Sequence, residues 1–125
     1  MIPPKKILVV DDEMGIRCLL SEVLIQNGFN VKMAKNGQES LDQLGRESFD
    51  LVVTDIRMPG VDGIEVLRWM NRESRKEKVI LMTGNPGDIG PQEMNMPEVV
   101  TLLQKPFGME FFLDIVTTTM VGNRA

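Results

Sequence analysis

The sequence predicts an α/β fold: a five-stranded parallel sheet covered on both faces by helices, a three-layer (βα)5 sandwich. Three observations carry this. Short apolar runs rich in β-branched residues occur at residues 7–10 (ILVV), 51–54 (LVVT), 79–82 (VILM) and 99–104 (VVTLLQ). Segments with the period of an amphipathic helix separate them, the pattern of a sheet buried on both sides. Each run is followed by, or ends next to, a polar residue: Asp11 and Asp12, Asp55, Thr83, Lys105. Ligands of open parallel sheets sit beyond the strand carboxyl ends, so the chemistry is expected in one crevice.

Taken in order, the first strand is followed by Ile16, Leu19, Leu20, Val23 and Leu24 at helical spacing, and Asn27 with Gly28 stops that helix. Residues 30–35 alternate Val31 and Met33 with polar neighbours, as an edge strand would. Asn36 followed by Glu39 has the spacing of a capping box and opens a second helix to about Gly45. Ser48 to Asp50 leads into the third strand. After Asp55 the turn-rich loop 56–63 follows, and Asp62 with Glu65 repeats the capping spacing ahead of Ile64, Leu67 and Met70. Between Gly84 and Pro97 three prolines and three glycines leave room for about two helical turns after Pro91, so the fourth helix is predicted to be short or mobile. The last helix starts after Pro106, with Phe107, Phe111 and Ile115 in one row and Phe112, Val116 and Met120 in the next. Each crossover is expected to be right-handed.

The 125 residues are read as one domain, residues 1–125; a chain of that size buries roughly two thirds of its unfolded surface. A composition of 42% hydrophobic and 26% charged residues excludes disorder as the main reading. A formal charge of -4 argues against a general nucleic-acid binder, because the basic group Arg72, Arg75, Lys76 and Lys78 is interleaved with Glu73 and Glu77 and reads as a solvated helix end. The single Cys18 cannot form an internal disulfide and, among Ile16, Leu19 and Leu20, reads as a buried structural thiol. No apolar stretch approaches the roughly 20 residues of a membrane span, and the first residues lack a signal-peptide core; a reducing, cytoplasmic setting without a membrane partner is expected. Histidine is absent, which excludes a His-ligated metal, a His-activated nucleophile and a phosphohistidine carried by this chain. Trp69 and the ten methionines read as packing, with Met94 and Met96 in a segment short of apolar neighbours.

Convergence of Asp11, Asp12 and Asp55 would set like charges close together; at 4 Å a pair repels by about 4 kcal/mol at an effective dielectric near 20. A cation must offset that. Oxygen-only donors suit Mg²⁺, which takes one or two carboxylates and keeps waters. With the metal bound, Asp55 can act as a carboxylate nucleophile on phosphorus, while Lys105, Thr83 and backbone N–H groups neutralise the phosphoryl oxygens. Singly, Asp11 and Asp12 could be a helix-capping pair and Lys105 a surface lysine. Their order along the chain favours a site.

That ordered set resembles the receiver domains of two-component response regulators over essentially the whole chain: Asp11 Asp12, Asp55 within DIRMPGVDG, Thr83 Gly84, and Lys105 Pro106 Phe107. The resemblance implies a flavodoxin-like sheet in order 2-1-3-4-5. It implies that Asp55 is the phosphoacceptor, that Asp12, Asp55 and the backbone carbonyl of Arg57 ligate Mg²⁺ with Asp11 orienting its water, and that Lys105 and Thr83 hold the phosphoryl group. It also implies a cis Lys105–Pro106 bond. The implied partners are a sensor histidine kinase or histidine phosphotransfer protein as donor and a downstream output protein or domain, with a phosphorylation-dependent dimer as a further state. Such a chain is no enzyme beyond catalysing its own phosphorylation and dephosphorylation.

Two features depart from the family pattern. Three residues before the lysine, where most receivers carry Tyr or Phe, this chain has Leu102, and the Gly/Pro-rich fourth helix beside it is short. The face formed by helix four, strand five and helix five is therefore expected to be remodelled. Two other readings of the residues are an interaction module that works without phosphorylation and the receiver part of a larger regulator or hybrid kinase. A haloacid dehalogenase-type phosphatase is disfavoured, because it needs a second Asp two residues after the nucleophile, where Glu13 and Met14 follow Asp12. A flavodoxin is disfavoured because acids stand where its first loop cradles phosphate.

Overall fold

The computed structural model describes residues 3–121. Its strands are β1 (Lys6–Val10), β2 (Asn30–Ala34), β3 (Leu51–Asp55), β4 (Lys78–Thr83) and β5 (Val99–Gln104). The helices are α1 (Met14–Gln26), α2 (Gly37–Arg46), α3 (Gly63–Arg72), α4 (Pro91–Met94) and α5 (Met109–Val121), with a 3₁₀ turn at Pro86–Asp88. The sheet is parallel throughout, in the order β2-β1-β3-β4-β5. Alternate side chains leave opposite faces of a strand, so two cores form. On one face Leu8, Val10, Val52, Val79 and Leu81 pack with Leu44, Val66, Leu67 and Met70; on the other Ile7, Val9, Val53, Ile80 and Met82 pack with Leu20, Leu24, Phe112 and Val116.

Register sets the functional edge. Val10 pairs with Thr54, Asp55 with Met82, and Thr83 with Gln104, so Asp11, Asp55, Thr83 and Lys105 emerge side by side at the carboxyl ends of four adjacent strands. The capping residues act as the spacing predicts, with one difference. Asp62 and Glu65 close a complete box at the start of α3, each side chain accepting from the other's backbone N–H. Asn36 accepts from Glu39 N–H at 2.8 Å, but the Glu39 carboxylate accepts from Lys35 N–H, one residue earlier than a box requires.

Several expectations are corrected. Cys18 is exposed, not buried. Leu20 and Leu24 set the inward face of α1, and Cys18 stands about 200° around the helix from Leu20. Leu19 is likewise 49% exposed. Phe111 is 54% exposed, and α5 buries Phe112, Val116 and Thr119 instead; Phe107 stacks on Phe112 from outside the helix. The fourth helix is one turn rather than two, because Gly90 offers no side-chain cap and Pro97 follows closely. Met96 packs on the first core and Met94 is half-buried.

The basic group after α3 is not simply solvated. Arg75 bonds both oxygens of Glu77 and the carbonyls of Leu44 and Glu47, while Glu77, 2% exposed, also accepts from Phe49 N–H at 3.0 Å. This network ties the chain after α3 to the end of α2, at the edge of the sheet opposite Asp55.

Candidate functional site

Asp11, directly after β1, is fully buried and fixed on every side. Its Oδ1 accepts from Glu13 N–H at 2.9 Å, its Oδ2 accepts from Lys105 Nζ at 2.9 Å, and its carbonyl accepts from Arg17. Asp12 is exposed. Asp55 ends β3 with its side chain 9% exposed, and its Oδ2 accepts from Lys105 Nζ at 3.1 Å. Gly63 passes so close that a Cβ there would meet the Asp55 carbonyl oxygen, which explains a glycine at that point of the loop.

Lys105 follows β5, its backbone N–H donates to the Thr83 carbonyl at 2.7 Å, and the Lys105–Pro106 bond is cis. The structure thus brings Asp11, Asp12, Asp55 and Lys105 together. One carboxylate oxygen from each of the three acids lies within 4.8 Å of the others, a donor set that could hold a metal ion. The fit favours a hard cation: all donors are oxygens, and both oxygens of Asp11 already accept hydrogen bonds, which leaves Asp12 and Oδ1 of Asp55 without a donor among the described residues. A cavity of about 470 Å³ above Asp55 is lined by Glu13, Arg57, Gly84, Asn85, Asp88 and Lys105.

Electrostatics follow from burial and crowding. Burial pushes the Asp55 carboxyl above its ordinary range, Lys105 pulls it down, and the charges of Asp11 and Asp12 add to the rise. Burial works against the Lys105 ammonium, but its bonds to Asp11 and Asp55 outweigh that and hold its proton more tightly than usual.

Thr83 is buried at the end of β4, and its hydroxyl is engaged away from Asp55. Oγ1 lies 2.6 Å from Oδ2 of Asp88 and accepts from Asn85 N–H at 3.1 Å. Oδ1 of the same Asp88 accepts from Arg57 Nε at 2.8 Å and Nη2 at 2.6 Å. Arg57, then Thr83, hold the Asp88 carboxyl below its usual range. Sequence reasoning missed Asp88 and the Arg57 side chain. Their pairing spans 31 residues and no local spacing signals it.

A doubly wound parallel sheet with an acidic cluster, an ammonium and a buried hydroxyl at its carboxyl edge defines a receiver-type switch module. The model of the response regulator receiver domain matches residues 7–117, and the chain belongs to that family. It is a domain of phosphorylation-controlled two-component signalling. Sporulation initiation phosphotransferase F of Bacillus subtilis is 40% identical over 113 residues, 90% of each chain. The transcriptional regulatory protein FixJ of Bradyrhizobium diazoefficiens is 39% identical over 103 residues, 81% of this chain and 49% of that protein. Among solved structures, response regulator TrrA of Thermotoga maritima, in complex with Mg(2+)-BeF, aligns with TM-score 0.81 and 33% identity over 92% of this chain and 98% of that one. Chemotaxis response regulator CheY4 of Vibrio cholerae aligns with TM-score 0.83 and 27% identity, over 93% and 98% of the two chains. No described helix is long and apolar enough to cross a membrane.

Proposed function

We propose that the chain takes a phosphoryl group from a phosphohistidine of a sensor histidine kinase or histidine phosphotransfer protein onto Asp55. A carboxylate oxygen of Asp55 forms the new P–O bond as the donor's P–N bond breaks, and the imidazole leaves with the electron pair and takes up a proton. Asp12, Asp55 and the Arg57 carbonyl would hold Mg²⁺, with Asp11 placed to orient its water; the bound ion supplies charge neutralisation at the phosphoryl oxygens. Lys105 supplies a second positive charge, and the Thr83 hydroxyl, once turned from Asp88, a hydrogen bond. A downstream protein or domain reads the outcome. The relative named a phosphotransferase supports phosphoryl transfer as the chemistry of this site.

The observation that carries this reading is Asp55 itself: one oxygen is held by Lys105 and the other meets no donor among the described residues, in a cavity open to a partner. Intact mass after acetyl phosphate with Mg²⁺ tests it. The wild type should gain one phosphoryl group and Asp55→Asn none. Equal labelling of both would end the assignment, and absence of labelling in the wild type would favour an interaction module that works without phosphorylation.

A further inference from the structure

Asp88 stands outside the set Asp11, Asp12, Asp55, Thr83 and Lys105, yet it receives the donors that reach the site from the β4 and β3 loops. Its side chain is 4% exposed. One oxygen lies 2.6 Å from Thr83 Oγ1, and the other takes Nε and Nη2 of Arg57 at 2.8 and 2.6 Å. A hydroxyl carries a single hydrogen, so a Thr83 that donates to Asp88 has nothing to donate to a group on Asp55. Arg57 and Asp88 both line the cavity above Asp55, and the guanidinium is likewise turned to Asp88.

We propose that Asp88 is a positioning residue that competes with the phosphoryl group for the Thr83 hydroxyl, and so sets how tightly the site holds that group. The inference rests on Asp55 as phosphoacceptor. It explains a role for the Gly/Pro-rich segment, because Asp88 ends the 3₁₀ turn Pro86–Asp88 and the next residue, Ile89, packs on the core that also receives Leu102. When the hydroxyl turns to the phosphoryl oxygens, the Asp88 side chain loses one of its two partners. The state of Asp55 thereby reaches residues 84–97 through a carboxylate, without an aromatic at position 102.

The test is a thermodynamic cycle on beryllofluoride binding in the presence of Mg²⁺, followed by titration calorimetry and by the ¹⁹F spectrum of the bound ion. Loss of a charge-assisted competitor should make Asp88→Ala bind about tenfold more tightly than wild type, with Asp88→Asn between the two. Thr83→Val should bind more weakly, and in that background Asp88→Ala should lose its gain, a coupling that a merely structural role for Asp88 would not produce. Asp88→Asn, nearly the same shape, carries the test should the alanine variant not fold. Equal or weaker binding by both Asp88 variants, or a gain that persists in Thr83→Val, overturns the inference while leaving Asp55 in place. A wild type that binds no beryllofluoride overturns the reading of Asp55, and this inference with it.

Discussion

Lys105 Nζ lies 2.9 Å from Oδ2 of Asp11 and 3.1 Å from Oδ2 of Asp55, so a single ammonium bridges the acid directly after β1 and the acid that ends β3. Asp11 is fully buried, and with Lys105 gone it would keep only the Glu13 N–H on its carboxylate. Lys105→Ala should therefore destabilise the metal-free chain by about 3 kcal/mol, the usual cost of stripping one partner from a buried pair. Mg²⁺ should restore part of that loss. Denaturant unfolding with and without Mg²⁺ measures both; an unchanged midpoint without metal would show that the acids do not depend on this ammonium.

Asp55→Asn should behave in the opposite way. Burial and the neighbouring acids raise the proton affinity of Asp55 in the fold, so its charge is less favoured there than in the unfolded chain. Removing that charge should leave metal-free stability unchanged or raise it by up to about 1 kcal/mol, seen as a Tm higher by a few degrees. The stabilisation by Mg²⁺ should shrink in the variant. A clear drop in metal-free Tm would mean that Asp55 holds the fold together.

The fourth helix is fastened to α3 by Arg68 Nη2 and Glu93 Oε2 at 2.8 Å. Arg68 holds the Glu93 carboxyl below its ordinary value of 4.5. The stability this pair gives is thus present above pH about 4.5 and is lost as pH falls through the lower folded value. Hydrogen-exchange protection of residues 91–96, taken relative to the intrinsic rate at each pH, should fall over that acid range in the wild type. In Arg68→Ala that protection should already be low at neutral pH, with less dependence on acid; a wild-type profile in the variant would contradict the anchoring role.

At the far edge of the sheet Arg75 neutralises Glu77, whose side chain is 2% exposed. Arg75→Ala should cost about 3 kcal/mol, because it leaves a buried carboxylate without its cation and the carbonyls of Leu44 and Glu47 without a donor. Phosphoryl uptake at Asp55 should be unaffected below the melting range. Equilibrium unfolding and intact-mass labelling check the two halves separately.

Phosphorylation should change hydrogen exchange chiefly in residues 84–97, with little change along β5. A modification shifts an equilibrium only by its differential interaction with the two states. Leu102, half-buried, offers less side-chain reorganisation than an aromatic would, whereas the 84–97 segment is short of regular structure and held by Thr83, Arg57 and Arg68. The largest change at Leu102, with a silent 84–97 segment, would refute this distribution.

Local signals determined much of this protein. The apolar runs, the caps at Asn36 and Asp62 and the order of Asp11, Asp12, Asp55, Thr83 and Lys105 announced a doubly wound sheet with its chemistry at the carboxyl edge, because strand periodicity and capping act over a few residues. Tertiary structure alone decided which way the ambiguous faces turned. Leu19 and Phe111 each directly precede an inward residue of their helix and Cys18 lies two positions before one, and only packing against the sheet selects Leu20, Leu24 and Phe112 as the buried ones. It alone decided the long-range ion pairs too. Arg57 with Asp88 and Arg68 with Glu93 join residues 31 and 25 positions apart, and Arg75 reaches back to the carbonyls of Leu44 and Glu47. Charge complementarity across such separations leaves no periodicity in a sequence, since a carboxylate finds its cation only after the loops between them have been placed by the core.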